Sequence, residues 1–197
     1  MIDELAGRIL RTDAGHPIRV GIDGPSAAGK TTLANRLADR LRSRTARAVI
    51  RAELDHFMTM VEDRDAHPYD SADSYYRDAW DYPAIRAGLL APLGPGGHRR
   101  YVTAAGEAPR LAPDDTILLA DGVFLQRPEL DAYWDLRIYL HIPPADSLRR
   151  AVDRDRHWMG GAAEAERRFR TIHLPGERRY LAEVRPRSHA QIVIDNS

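Results

Sequence analysis

Cysteine is absent from the 197-residue chain, which excludes disulfides, thiolate metal sites and cysteine nucleophiles. Lysine is almost absent: Lys30 is the only one, and arginine supplies every other basic side chain. No apolar run approaches the roughly 20 residues of a membrane span. The first segment, with Asp3 and Glu4, has no signal-peptide core. Net charge is lacking too, because 29 basic residues balance 29 acidic ones. General nucleic-acid and membrane-surface binders need a basic field, so neither partner is expected. These absences describe a protein expected in the cytoplasm. With 43% hydrophobic and 29% charged residues the composition is globular, and the length suits one domain over residues 1–197. A homo-oligomer is left open.

Strand and helix patterns alternate along the chain. Ile2, Leu5, Ile9 and Leu10 share a face of a short N-terminal helix. Apolar runs at 18–22, 47–54, 116–120, 135–142 and 191–195 predict strands, and helices are expected after the first, near 83–91, from Ala145 to about Arg156, and over 161–185. Pro and Gly crowd residues 92–113, which predicts a loose hairpin or flap. Strands alternating with helices imply an α/β fold with a mostly parallel central sheet covered on both faces.

Between the first strand and its helix stands Gly24-Pro25-Ser26-Ala27-Ala28-Gly29-Lys30-Thr31, a full match to G-x-x-x-x-G-K-[ST], followed by Thr32. Glycines there let backbone N–H groups converge on phosphates, and the helix turns its positive end toward them. Lys30 is expected at the β- and γ-phosphates and the Thr31 hydroxyl on Mg²⁺. A compact ammonium does this work, and arginine's planar fork does not replace it, which explains one retained lysine in an arginine-rich chain. The guanine-reading Asn-Lys-x-Asp motif cannot occur in a chain whose one lysine is Lys30. A small-molecule kinase using ATP and Mg²⁺ is therefore the leading expectation. A nucleotide-dependent switch with little phosphotransfer is the rival from another class.

Phosphoryl transfer needs a metal, a group to take the acceptor's proton and cations for the spreading charge. Asp121 ends the apolar run Thr116–Ala120 and is the candidate metal-side carboxylate; a turn-forming Asp-Gly is the plainer reading. Asp55 follows the second strand and is the candidate base, with helix capping as its alternative. His56 is read as packing or solvent-facing. Asp23 is read as orienting the loop or its Mg²⁺ waters, with plain structural support an equal alternative. Arg150 and Arg154 lie one turn apart and could close over the nucleotide as a lid near 150–164. Ordinary helix pairs, Asp146 with Arg150 and Arg149 with Asp153, compete with that role.

These elements in this order resemble the uridine kinase family of P-loop kinases, related to phosphoribulokinase and bacterial pantothenate kinase. The resembling stretches are RVGIDGPSAAGKTTLANRLADRL, ELDHFM, ILLADGVFLQRPEL, DLRIYLHI and SLRRAVDRD, and more loosely RYLAEVRPRSHAQIVIDN. The resemblance implies a P-loop NTPase fold, Asp55 as catalytic base, Asp121 at the position of the family's glutamate, and Arg150 and Arg154 as lid arginines. It also implies transfer to the 5′-hydroxyl of a nucleoside such as uridine or cytidine. Another alcohol, such as a sugar or pantothenate-like compound, is the alternative acceptor. The family's ribose-holding Phe-Asp-His-Pro stretch has no match: the chain reads Asp73-Ser74-Tyr75-Tyr76-Arg77-Asp78-Ala79-Trp80-Asp81 there.

Residues 62–82 mix acids, Asp63 and Asp65 among them, with tyrosines and Trp80. As an acceptor pocket this segment suits a neutral hydroxylated molecule, with Tyr75, Tyr76, Asp78 and, from the flap, Tyr101 as contacts. As a solvated acidic helix with buried rings it would have no such role.

Overall fold

The computed structural model describes residues 1–59 and 69–197. Asp63 and Asp65 lie outside the described residues. In chain order the elements are α1 (Ile2–Arg11), β1 (Ile18–Asp23), α2 (Lys30–Arg42), β2 (Val49–Glu53), α3 (Ala72–Arg77) and α4 (Tyr82–Ile85). A small hairpin follows, β3 (Arg100–Tyr101) with β4 (Arg110–Leu111), and then β5 (Ile117–Asp121), α5 (Pro128–Asp131) and β6 (Leu136–His141). The chain ends with α6 (Pro144–Asp155), α7 (Ala162–Arg168), α8 (Leu174–Glu183), α9 (Pro186–His189) and β7 (Ile192–Asp195).

The main sheet has five strands in the order β2-β5-β1-β6-β7, and every pairing in it is parallel. Alternate residues of β5 serve opposite faces. Ile117 and Leu119 join α1 and α2 residues such as Ile9, Leu37 and Leu41, while Leu118 and Ala120 join the core around Phe124 and Trp134. Both faces are thus dry, which is why the central strands read as unbroken apolar runs. From β1 the chain crosses to β2 on one side, and β6 later joins β1 on the other. Such a reversal leaves a crevice at the carboxyl ends of the strands, and Asp23, Glu53 and Asp121 end there.

Two helices carry wide turns that periodicity did not predict. Asp81 caps α4 by accepting the Ala84 N–H at 2.8 Å, and the helix widens into a π turn over Arg86–Leu90. The segment 161–185 is broken by a second π turn, Phe169–His173, ahead of α8. Pro175 explains the second: it has no N–H for the Thr171 carbonyl, and its ring crowds that turn. The flap is a true antiparallel hairpin and packs on the π turn after α4, where Val102 N–H donates to Gly88 O at 2.8 Å.

β1 and β6 are tied at their starts by a buried ion pair. Asp135 accepts the Arg19 backbone N–H at 2.8 Å and its guanidinium at 3.2 and 3.1 Å. Arg19 is 5% exposed, so removing Asp135 strands a buried charge left with a hydrogen bond to Leu90 O. Asp135→Ala is expected to destabilise the fold by about 3–5 kcal/mol, measured by urea unfolding.

Candidate active site

The turn after β1 is built around two glycines that other residues could not replace. Gly24 has φ +151, and a Cβ there would sit 2.5 Å from Leu140 O. Gly29 has φ +88 and precedes the first turn of α2. Asp23 anchors the turn from below. Its buried carboxylate accepts from Gly24 N at 2.8 Å, from Gln126 Nε2 at 2.9 Å and from the Tyr180 hydroxyl at 2.5 Å. Burial raises the Asp23 carboxyl above its usual value, and those three donors pull against the shift. Structural support is therefore the role its contacts describe.

Lys30 opens α2 and donates to Pro25 O at 2.8 Å. Loss of hydration lowers its ammonium, and the carboxylates of Asp55, Glu177, Asp23 and Asp121 oppose the shift. The Thr31 hydroxyl donates to Asp121 Oδ2 at 2.6 Å. Asp121 also pairs with Arg51 at 2.5 Å, and that guanidinium is held by Leu119 O at 2.6 Å and Asn35 Oδ1 at 3.1 Å. Thr31 and Asp121 offer hard oxygen donors of the kind Mg²⁺ takes. Among the described residues no cluster of His, Cys, Asp and Glu forms an all-protein cage.

A cavity of about 700 Å³ opens at this edge of the sheet. Ser26 to Thr32 and Asp121 line it, as do Asp55, Met58, Tyr69, Tyr75, Trp80 and His173, and the lid adds Arg150, Arg154 and Trp158. Asp55 sits in a short 3₁₀ turn, Leu54–Phe57, just past β2. The phosphate loop, both candidate carboxylates and both lid arginines are therefore brought together. Tyr75 is part of the wall, stacked on His173 with ring centroids 4.7 Å apart. His173 in turn lies 3.1 Å from the Tyr69 hydroxyl.

Three expected acceptor contacts stand elsewhere. The Tyr76 ring lies beneath Arg127, 4.2 Å from its guanidinium carbon, and its hydroxyl donates to Glu183 at 3.0 Å. On a helix, neighbouring residues cannot both face one cavity, and Tyr75 takes that direction. Asp78 is exposed, and its carbonyl accepts the Thr59 hydroxyl. Tyr101 is buried in the flap with Arg110 over its ring, away from the cavity.

The two lid arginines differ. Arg150 donates to Asn196 O at 3.1 Å, and Asn196 Nδ2 reaches Ala28 O at 2.9 Å, so the final residues bridge lid helix and phosphate loop. Arg154 pairs with Asp155 at 2.6 Å, and that carboxylate raises the guanidinium while also accepting from Trp158 Nε1 at 3.2 Å. The helix pairs that form are Arg149 with Asp146 and Arg156 with Asp153, not those expected. Sequence reasoning missed Arg51, Asn196 and Glu177. Arg51 alternates with buried Ile50 and Ala52, which placed it on a half-covered face without naming its partner.

No protein-family model and no curated sequence matches the chain. Its fold is nonetheless shared with solved kinases. A possible uridine kinase from Bacillus stearothermophilus is 25% identical, with a TM-score of 0.73 over 98% of this chain and 97% of that one. A protein assigned as a fructose transport system kinase from Silicibacter sp. TM1040 is 23% identical, with a TM-score of 0.73 over 98% of both chains. D-glycerate 3-kinase from Cryptococcus neoformans is 15% identical, with a TM-score of 0.57 over 90% of this chain and 87% of its own. With the phosphate loop, these likenesses show an α/β P-loop NTPase fold similar to that of the possible uridine kinase.

Proposed function

We propose that the protein transfers the γ-phosphate of ATP to the 5′-hydroxyl of a nucleoside of the uridine or cytidine type. The observation that carries this reading is the shared cavity, in which Asp55 and the rings of Tyr69, Tyr75 and Trp80 stand beside the phosphate loop. Ring walls beside the Asp55 carboxylate suit a neutral, flat, hydroxylated acceptor. A carboxylate beside the loop suits a base.

In this reading the loop's backbone N–H groups and Lys30 bind the phosphates. Thr31 and Asp121 hold Mg²⁺, which when bound offsets the charge that spreads over the phosphoryl oxygens. Asp55 accepts the proton of the acceptor hydroxyl as that oxygen bonds to the γ-phosphorus. The bond from that phosphorus to the β,γ-bridging oxygen breaks, and ADP departs. Arg154, at the cavity wall, supplies a further cation for the transferring group. Arg150 contributes at the junction of lid and loop. Among the described residues no helix is long and apolar enough to cross a membrane. Action in the cytoplasm on a small-molecule acceptor, without nucleic acid, completes the proposal.

ADP release from Mg·ATP should be stimulated by uridine or cytidine within a panel of nucleosides, simple sugars and pantothenate. Asp55→Asn should lower that turnover by about 10²–10⁴-fold. Turnover with a different alcohol would keep the mechanism and discard the acceptor. Nucleotide binding with no turnover and no effect of Asp55→Asn would favour the switch. Gly24→Ala is expected to weaken Mg·ADP binding by about tenfold or more, because moving the backbone off Leu140 O costs about 1–3 kcal/mol. Calorimetric titration reads that loss.

A further inference from the structure

Glu177 is a buried carboxylate that the proposed chemistry does not use. It projects from α8 and accepts the Ser26 backbone N–H through Oε1 at 2.8 Å. That N–H and the Pro25 carbonyl belong to one peptide unit, and the carbonyl is the group that receives Lys30 Nζ at 2.8 Å. The peptide is thus held at both ends, by Glu177 on one side and the ammonium on the other. One turn along α8, Tyr180 donates to Asp23, so a single helix grips the loop at its entry and at its third residue.

Glu177 is itself fixed by packing. Its neighbour Gly176 lies so close to Tyr75 that a Cβ would stand 2.7 Å from the ring. The next peptide of the loop is secured separately, where the Ser147 hydroxyl of α6 donates to Ser26 O at 2.7 Å. A loose peptide at Pro25–Ser26 could rotate at little cost, since proline fixes its own φ but not the ψ that turns this plane.

We propose that Glu177 is a positioning residue of the phosphate loop: by accepting the Ser26 N–H it fixes the Pro25–Ser26 peptide in the orientation that seats Lys30. This rests on the reading of the loop as a nucleotide site. What matters is an acceptor oxygen at the right reach, and the negative charge is secondary. Glu177→Asp keeps the charge and shortens the reach by one methylene. Glu177→Gln keeps the reach and an amide oxygen that accepts the same N–H.

The test compares both variants with the unaltered protein in two measurements, each checked by thermal melting. Calorimetric titration with Mg·ADP should show Glu177→Asp binding about tenfold or more weakly, the scale of one hydrogen bond to a charged group. Glu177→Gln should stay within about threefold of the unaltered protein. Hydrogen exchange of the segment Gly24–Lys30, in protein without nucleotide, should be faster in Glu177→Asp and unchanged in Glu177→Gln. Equal behaviour of Glu177→Asp and the unaltered protein overturns the proposal. So does a Glu177→Gln protein as impaired as Glu177→Asp, because charge would then be the operative property. An unaltered protein that binds no nucleotide sinks the kinase reading, while the exchange measurement still judges Glu177 alone.

Discussion

A buried aspartate beneath a glycine turn is the contact on which the whole carboxyl edge depends. Asp23 ends the central strand and takes hydrogen bonds from the turn, from Gln126 and from Tyr180. Each donor belongs to a different segment, so one carboxylate sets the glycine turn against the turn between β5 and α5 and against α8. A charge in that place would be costly if left unpaired, and here it is paired only when all three segments have docked. Formation of the loop is thereby made conditional on formation of the surrounding fold. A Gly-rich stretch that would otherwise be loose becomes a rigid seat.

Around that seat the charges are arranged for an anion that brings its own cation. Lys30 faces four carboxylates, and Asp121 is partly satisfied by Arg51. Acids without compensation would repel phosphate groups, and under the proposed function Mg²⁺ with Arg150 and Arg154 would offset that repulsion. Asp121 stands where the family resemblance implies a glutamate. The shorter carboxylate is held from both sides, by Thr31 and by Arg51, and does not need the extra methylene to be fixed. The guanidinium suits that task because it spans Leu119 O, Asn35 and Asp121 at once, which a single ammonium would not do.

Most of the scaffold was legible because its signals are local. The glycine spacing, the one lysine, the apolar runs and the acids at strand ends are each read within a few residues. They correctly predicted the parallel sheet and the loop between β1 and α2, and Asp55, Asp121, Arg150 and Arg154 line one cavity. What escaped depends on contacts over long separations or on direction around a helix axis. Tyr75 and Tyr76 are adjacent in sequence, yet one lines the cavity and the other lies beneath Arg127. Asn196 reaches Ala28 across 168 positions. The π turn before Pro175 shifts the phase of every later residue in that segment, so periodicity carried through from Ala162 misassigns the faces of α8.

That phase shift has a consequence for the site. With the extra residue absorbed at Phe169–His173, Gly176 faces α3 while Glu177 and Tyr180 face the phosphate loop. The same helix therefore touches the cavity wall at Tyr75 and the phosphate loop and its entry through two hydrogen bonds. Tyr75 stacks on His173, the last residue of the π turn, so this part of the cavity wall rests on the irregular turn itself. Because interiors are close-packed, a group pressing on Tyr75 has little free space to yield into and bears on α8. The wide turn is where such a push would be absorbed or passed on. Its geometry makes the cavity wall at Tyr75 and the phosphate loop parts of one packed unit.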